Sequence, residues 1–285
     1  AVETPGGLKI QTIHAFCERL LQQFPFEASV TAGFTVLEER GSAELLAEAQ
    51  AEVLVEAGED GPLYDAIADL LTRLSDMGFA DVLKAVLARR GAFLDWMRAA
   101  DDLDDALANL RDSLGLAPGD DEAVVTADIL TSPHLPRSEW TAVAETLRTG
   151  SKQIVALGDA LALAAETSDE TEVLDAYLSV FLTASTGEPR KRFLTKAFEQ
   201  EFSDLAERLE NEKARVAGLM DRLAAARMLA ANSALFTVAD AVIGRYQKLK
   251  AARGFVDFDD LVERTAMLLG RADAAWGLDK PHGGL

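Results

Sequence analysis

A chain of 285 residues of which 49% are apolar can bury a sizeable core, and this excludes wholesale disorder. Its 28 Lys/Arg against 48 Asp/Glu leave a formal net charge of −20, which repels phosphate at long range, so generic nucleic-acid affinity is not what the composition suggests. A single cysteine, Cys17, rules out an internal disulfide, and His14, His134 and His282 lack zinc-ligand spacing.

In chain order, residues 8–13 (Leu-Lys-Ile-Gln-Thr-Ile) alternate apolar with polar and are competent to form a strand. A helix is expected over 13–24, with Thr12 placed to cap it. Phe34-Thr35-Val36-Leu37 is a second, weaker strand candidate. Beyond it apolar residues recur at three- and four-residue steps between strong helix formers. This predicts helices over 38–57, 79–90, 92–99, 103–114, 120–131, 152–166 and 170–183. Asp60-Gly61-Pro62 starts another, with Asp60 near the cap, Pro62 in the first turn and Ala66, Leu70 and Leu74 on one face. Ser138 is expected to cap a helix carrying Trp140, Val143 and Leu147, stopped by Gly150.

From about 203 to 252 the chain runs without proline. An unbroken helix of that length would span roughly 75 Å at ~1.5 Å per residue, and Asn232-Ser233 is where a kink would fall. The expected fold class is mainly α: a multi-helix bundle with one very long helix near the C-terminal end and at most one or two short strands. No apolar run reads as a membrane span or leader, and a reducing, cytoplasmic setting fits the single cysteine. The chain opens without Met and closes on Lys280-Pro281-His282-Gly283-Gly284-Leu285, a turn-like run, so a piece of a larger protein is expected.

The acidity is concentrated. Residues 38–135 hold 7 Lys/Arg against 22 Asp/Glu, a net of −15. Two basic clusters stand in the remainder: Arg190-Lys191-Arg192 with Lys196, and Arg245, Lys248, Lys250 with Arg253. Either cluster is a candidate DNA contact or a solvated face. The sequence contains no G-x-x-x-x-G-K-[ST], no G-x-S-x-G, no H-E-x-x-H and no G-x-G-x-x-G, so no self-contained catalytic centre and no metal site is legible.

Two segments combine chemistry-bearing residues. In Ile10-Gln11-Thr12-Ile13-His14-Ala15-Phe16-Cys17, a hydroxyl, an imidazole and an aromatic ring gather where a strand turns into a helix. These are groups that can hold single-stranded nucleic acid, while Thr12 as a cap with Phe16 and Cys17 in the core is the alternative. In Gly254-Phe255-Val256-Asp257-Phe258-Asp259-Asp260-Leu261, Gly254 ends one helix and Asp257 caps the next. Asp259 and Asp260 favour its positive end, and Phe258, Leu261 and Val262 are expected in the core.

Thr12-Ile13-His14-Ala15-Phe16-Cys17 resembles the T-x-H-x-F-C motif of UvrD/RecB-like superfamily I helicases. Tyr246-Gln247-Lys248-Leu249-Lys250 followed by Val256-Asp257-Phe258-Asp259-Asp260-Leu261 resembles the Y-x-x-x-K…DFDDL segment of the same family. Phe34–Arg40 and the run Gly187-Glu188-Pro189-Arg190-Lys191-Arg192 bring the likeness closest to the AddA type, the helicase–nuclease of bacterial double-strand break repair. The resemblance implies a division into 1–37 (part of ATPase subdomain 1A), 38–244 (helical subdomain 1B) and 245–285 (the return into 1A). Any strands would then be orphans of an incomplete α/β subdomain, with the family's Walker A loop upstream of this sequence and its Walker B strand downstream. It also implies DNA contacts at Thr12, His14, Phe16, Arg190, Lys191 and Arg192, and structural roles for Asp257, Phe258, Asp259 and Asp260. The acidic block would face away from DNA. The parent would be an ATP-dependent DNA helicase and exonuclease using ATP and Mg²⁺, acting on single-stranded and duplex DNA with an AddB-like second subunit. This chain alone would have no ATPase activity. A free-standing acidic interaction module without a DNA role is the alternative.

Overall fold

The computed structural model describes residues 12–58, 60–191 and 193–276. Residues 8–11 of the expected first strand lie outside them; Thr12 is the N-cap of a helix and Ile13 its first residue.

The described residues form α1 (Ile13–Gln23), β1 (Thr35–Val36), α2 (Glu39–Glu56), α3 (Pro62–Arg73), α4 (Asp76–Leu87), α5 (Arg90–Arg98), α6 (Leu103–Ser113) and α7 (Glu122–Leu130). A 3-10 turn (Arg137–Glu139) precedes α8 (Trp140–Leu147), and α9 (Lys152–Glu166), α10 (Glu170–Phe181) and α11 (Lys196–Glu201) follow. The chain then runs through α12 (Ser203–Arg253), β2 (Phe255–Val256) and α13 (Phe258–Trp276). The fold is thus mainly α, with one helix of 51 residues and two short strands.

Several local expectations need correction or refinement. Asp60 stands next to the cap of α3 as expected, and the cap itself is Gly61, at φ 102°, a conformation that side chains with a Cβ resist. Ser138 does not cap α8, because the 3-10 turn runs straight into it and Glu139 occupies the cap position without a side-chain bond. α4 starts at Asp76, where the Ser75 hydroxyl accepts from the Gly78 N–H, three residues before the apolar periodicity suggested. α12 is helical throughout, and Asn232 hydrogen-bonds back to the Met228 carbonyl instead of breaking it.

The strands pair with each other. β1 and β2 are parallel, with Thr35 opposite Phe255 and Val36 opposite Val256, and bonds from Thr35 N–H to Gly254 C=O and from Leu37 N–H to Val256 C=O extend the ladder. Gly254 makes this possible: at φ 65° it ends α12 and turns the chain directly into β2.

The chain divides into two compact units. One comprises residues 1–103 with 234–285, the other 104–233. The reason lies in the packing of the last third of α12. Its buried Leu235, Val238, Ala239, Val242 and Tyr246 form one core with Leu45, Ala49 and Val53 of α2, Leu70 of α3, Leu83 of α4 and Phe93 of α5. Phe93, Trp96 and Phe236 add aromatic contacts with ring centroids 5.2–5.9 Å apart. A second, smaller core in the same unit joins Cys17 and Leu21 of α1 to Phe34, Val256 and Leu261.

In the 104–233 unit, Trp140 stacks on Tyr177 at 4.7 Å among Ile129, Leu147, Leu161, Phe181 and Leu223. Helices α8 and α9 approach closely at Gly158, where a Cβ would lie 2.8 Å from the Ala144 carbonyl and 3.0 Å from Leu147 Cβ. Alanine there gains about 1 kcal/mol of helix propensity but drives a Cβ into backbone, a clash costing about 1–3 kcal/mol. Gly158→Ala is therefore expected to lower the melting temperature of this unit, measured by circular dichroism.

The acidic block is partly neutralised by α12. Glu48 pairs with Arg253, and Glu52 and Glu56 pair with Arg245. In the other unit Asp120 and Asp128 pair with Arg222, and Glu122 with Arg227. Part of the block is thus paired with the long helix, although most of these acids keep a solvent-exposed side. An 18-residue window of α12 is apolar enough to cross a bilayer by length and composition, contrary to the first reading of the sequence. Of that window 44% is buried inside the protein, and packing in the two cores accounts for its composition.

Candidate nucleic-acid interface

The fold brings the two chemistry-bearing segments together. α1 and α13 pack against each other, and the His14 and Phe258 rings lie 4.8 Å apart at 47°. α1 starts where it does because the Thr12 hydroxyl accepts from the Ala15 N–H at 3.3 Å, which leaves the Thr12 O–H to donate outward. Burial of Cys17 and Leu21 then sets the rotation of α1 and turns Ile13, His14 and Phe16 to the surface. Phe16 is 42% exposed and Phe258 39%.

This sorts the aromatic expectations. Cys17 and Leu261 are core, as one reading of each segment had it, whereas Phe16, Phe258 and Val262 are not. Phe258 and Val262, one helical turn apart on α13, are partly exposed, whereas Leu261 and Thr265 of the same helix are buried.

Behind the exposed rings lies a buried polar network. Asp257 and Asp260 cap α13 reciprocally: Asp260 N–H donates to Asp257 Oδ1 at 2.9 Å, and Asp257 N–H to Asp260 Oδ2 at 3.2 Å. Lys250, only 2% exposed, donates to Asp257 at 2.9 Å and to Asp260 at 2.5 Å. Tyr246 donates its O–H to Asp257 at 2.7 Å, and Lys250 also sits 4.7 Å from the Tyr246 ring centre. Burial works to raise the Asp257 pKa. The Asp260 N–H, the Lys250 hydrogen bond and charge, and the Tyr246 hydroxyl outweigh it and hold the carboxyl at about 2. Burial first, and then the hydrogen bond to Asp257, push the Tyr246 phenol upward.

Arg90, at the start of α5, was not singled out from the sequence. Its guanidinium reaches Asp257 at 3.4 Å and the exposed Asp259 at 2.8 Å. No local pattern marks it, since 167 residues separate it from Asp257.

The other basic residues are distributed differently from their clusters in sequence. Arg245 and Arg253 are taken up by α2 acids and Lys250 by the buried network, so of that cluster Lys248 is left exposed, with the Glu56 carboxylate near enough to feel its charge. Arg190 is half-buried and donates to the Ser179 carbonyl at 2.9 Å, Lys191 is exposed, and Arg192 lies outside the described residues. The described residues contain no group of three or more His, Cys, Asp or Glu that could hold a metal ion. The sequence contains no phosphate-cradling loop of the G-x-x-x-x-G-K-[ST] type either.

No curated protein matches the sequence. The model of the UvrD/REP helicase N-terminal domain matches it over residues 3–277. That span takes in both compact units and both ends of the α1–α13 pair, and the chain accordingly belongs to the UvrD/REP helicase family, as a DNA helicase domain.

Proposed function

We propose that this chain is the DNA-engaging helical region of an ATP-dependent DNA helicase of the AddA type, acting in double-strand break repair and recombination. In this reading Thr12, His14 and Phe16 lie along the path of a single strand, and Arg190, Lys191 and Arg192 contact duplex ahead of it. The observation that carries the reading is the surface where α1 meets α13, at which the His14 and Phe258 rings stand together, with Thr12 and Phe16 exposed at the start of α1. A ring stacks on any base, and a hydroxyl serves phosphate or sugar, so such a surface suits a strand bound without regard to sequence.

ATP and Mg²⁺ are assigned to parts of the parent enzyme outside this sequence, because the chain carries no loop to cradle phosphate. The exonuclease, an AddB-like partner subunit, the absence of membrane attachment and a cytoplasmic location belong to the same proposal. The chain by itself is proposed to lack ATPase activity.

The test is binding of the purified chain to a fluorescent junction of single-stranded and duplex DNA across a salt series. Affinity is expected to fall steeply with salt. Base–aromatic stacking is worth about 1–3 kcal/mol per base, so His14→Ala with Phe16→Ala is expected to weaken binding by roughly tenfold or more. No binding by the wild type at low salt, or unchanged affinity in the double variant, would sink the proposal.

A further inference from the structure

We infer that Arg90 is a positioning residue for the single-strand surface, tying the first turn of α13 so that Phe258 is held against His14. The inference rests on the proposed function for its DNA readout, and on geometry alone for the rest.

Phe258 is the first residue of α13, and the acids on either side of it are the ones Arg90 holds. Asp257, 2% exposed, is anchored by Lys250 and Tyr246 whatever Arg90 does. Asp259 is different. Its side chain is 69% exposed, and its ion pair is to Arg90. The Arg90 guanidinium therefore links a fixed point, Asp257, to the outer side of the turn that carries Phe258.

The guanidinium is itself constrained. Its side chain is 20% exposed, and its central carbon lies 5.6 Å from the Tyr246 ring centre. A planar fork of donors can engage two carboxylates at once, which a point-charge ammonium does less well. The backbone N–H groups of a first helical turn have no partner within their own helix, so such a turn frays unless side chains hold it. Here the capping pair holds its inner side and Arg90 its outer side. The His14 contact needs both, because the Phe258 ring packs across onto α1 while remaining partly in solvent.

Arg90 lies on the helices between the two motifs, among residues expected to form the helical insertion. The inference thus gives that insertion a direct mechanical hold on the strand-binding surface, through one side chain.

The experiment compares the wild type with Arg90→Ala, Asp259→Asn and the double variant in two readouts. The first is the proton NMR signal of the His14 ring, assigned with His14→Gln and shifted by the adjacent Phe258 ring. The second is affinity for a fluorescent single-stranded oligonucleotide. Both single variants are expected to move the His14 signal towards its free-imidazole position and to weaken binding by roughly fivefold to tenfold, the double variant doing no more than either. Asp259→Asn decides between mechanisms. It removes a negative charge, so an electrostatic role alone predicts tighter binding, whereas positioning predicts weaker. It also alters an exposed residue, so it stays informative if Arg90→Ala fails to fold. An unmoved His14 signal in Asp259→Asn, tighter binding in it, or additive effects in the double variant would each overturn the inference. If the His14 signal moves while even the wild type binds no DNA, the positioning role stands and the proposed function falls.

Discussion

Asp257→Ala is expected to be the most damaging single substitution in the unit that carries both motifs. It leaves Lys250 at 2% exposure with one carboxylate instead of two, deprives Tyr246 of its acceptor and removes the cap of α13. Breaking a buried ion pair from one side costs about 3–5 kcal/mol and losing a cap adds about 1 kcal/mol. Against a domain stability of about 5–15 kcal/mol, that is enough to leave this unit partly unfolded at room temperature. Asp257→Asn keeps one acceptor oxygen, which can serve the cap or Tyr246 but not both, and is expected to cost less.

Acid provides an independent check. The Asp257 carboxyl is held at about 2, below its ordinary value of 3.8. A carboxylate depressed by folding contributes stability that is fully present above its unfolded pKa and is lost as pH falls towards the folded one. The wild type is therefore expected to lose stability between pH 3.8 and about 2 faster than Asp257→Asn, and the gap between them to narrow. A gap that stays constant on acidification, followed by urea denaturation, would show that the charge of Asp257 contributes nothing.

The second large effect is expected at Glu212, in the other unit. This carboxylate is fully buried and accepts from Tyr177 O–H at 2.6 Å, Ser132 O–H at 2.5 Å and Arg215 at 2.7 and 2.9 Å. Two of the donors have further duties. Ser132 accepts from the N–H groups of His134 and Leu135, and Arg215 donates to the Asp128 and Ile129 carbonyls at the end of α7. Glu212 thus joins α12 to α10 and to the connection after α7. Burial first, then the hydrogen bond and charge of Glu212, push the Tyr177 phenol upward, so it remains a donor.

Glu212→Ala strands a partly buried guanidinium and two buried hydroxyls, at an expected cost of about 3–5 kcal/mol. Glu212→Gln preserves shape and one acceptor and is expected to cost roughly half as much. Because the chain has two compact units, each substitution should shift one phase of thermal unfolding and spare the other. A single shared transition that moves equally with both variants would show that the units do not melt separately.

How far the interface could be read from sequence differs residue by residue. The capping role of Asp257 was legible, since an acid at a helix start three residues before another is a local pattern. Lys250 was misread as part of a basic cluster, because helical spacing places it near Lys248 and Arg253 and carries no information about acids beyond the next turn. Phe258 was assigned to the core on hydrophobicity, which cannot say which face of a first turn a neighbouring helix covers. Arg90 carried no signal at all.

Most of the helices, the exceptional length of one of them and the two segments that combine chemistry-bearing residues are legible in the sequence alone, whereas α11 and the start of α4 are not. Those properties arise from interactions between residues three or four apart, so they are written locally. The parallel pairing of β1 with β2, the meeting of α12 arginines with the acidic block and the contact of the His14 and Phe258 rings come from tertiary packing alone. Each of these joins segments about 100 to 240 residues apart, where packing and loop closure choose the partner and no period in the chain records the choice.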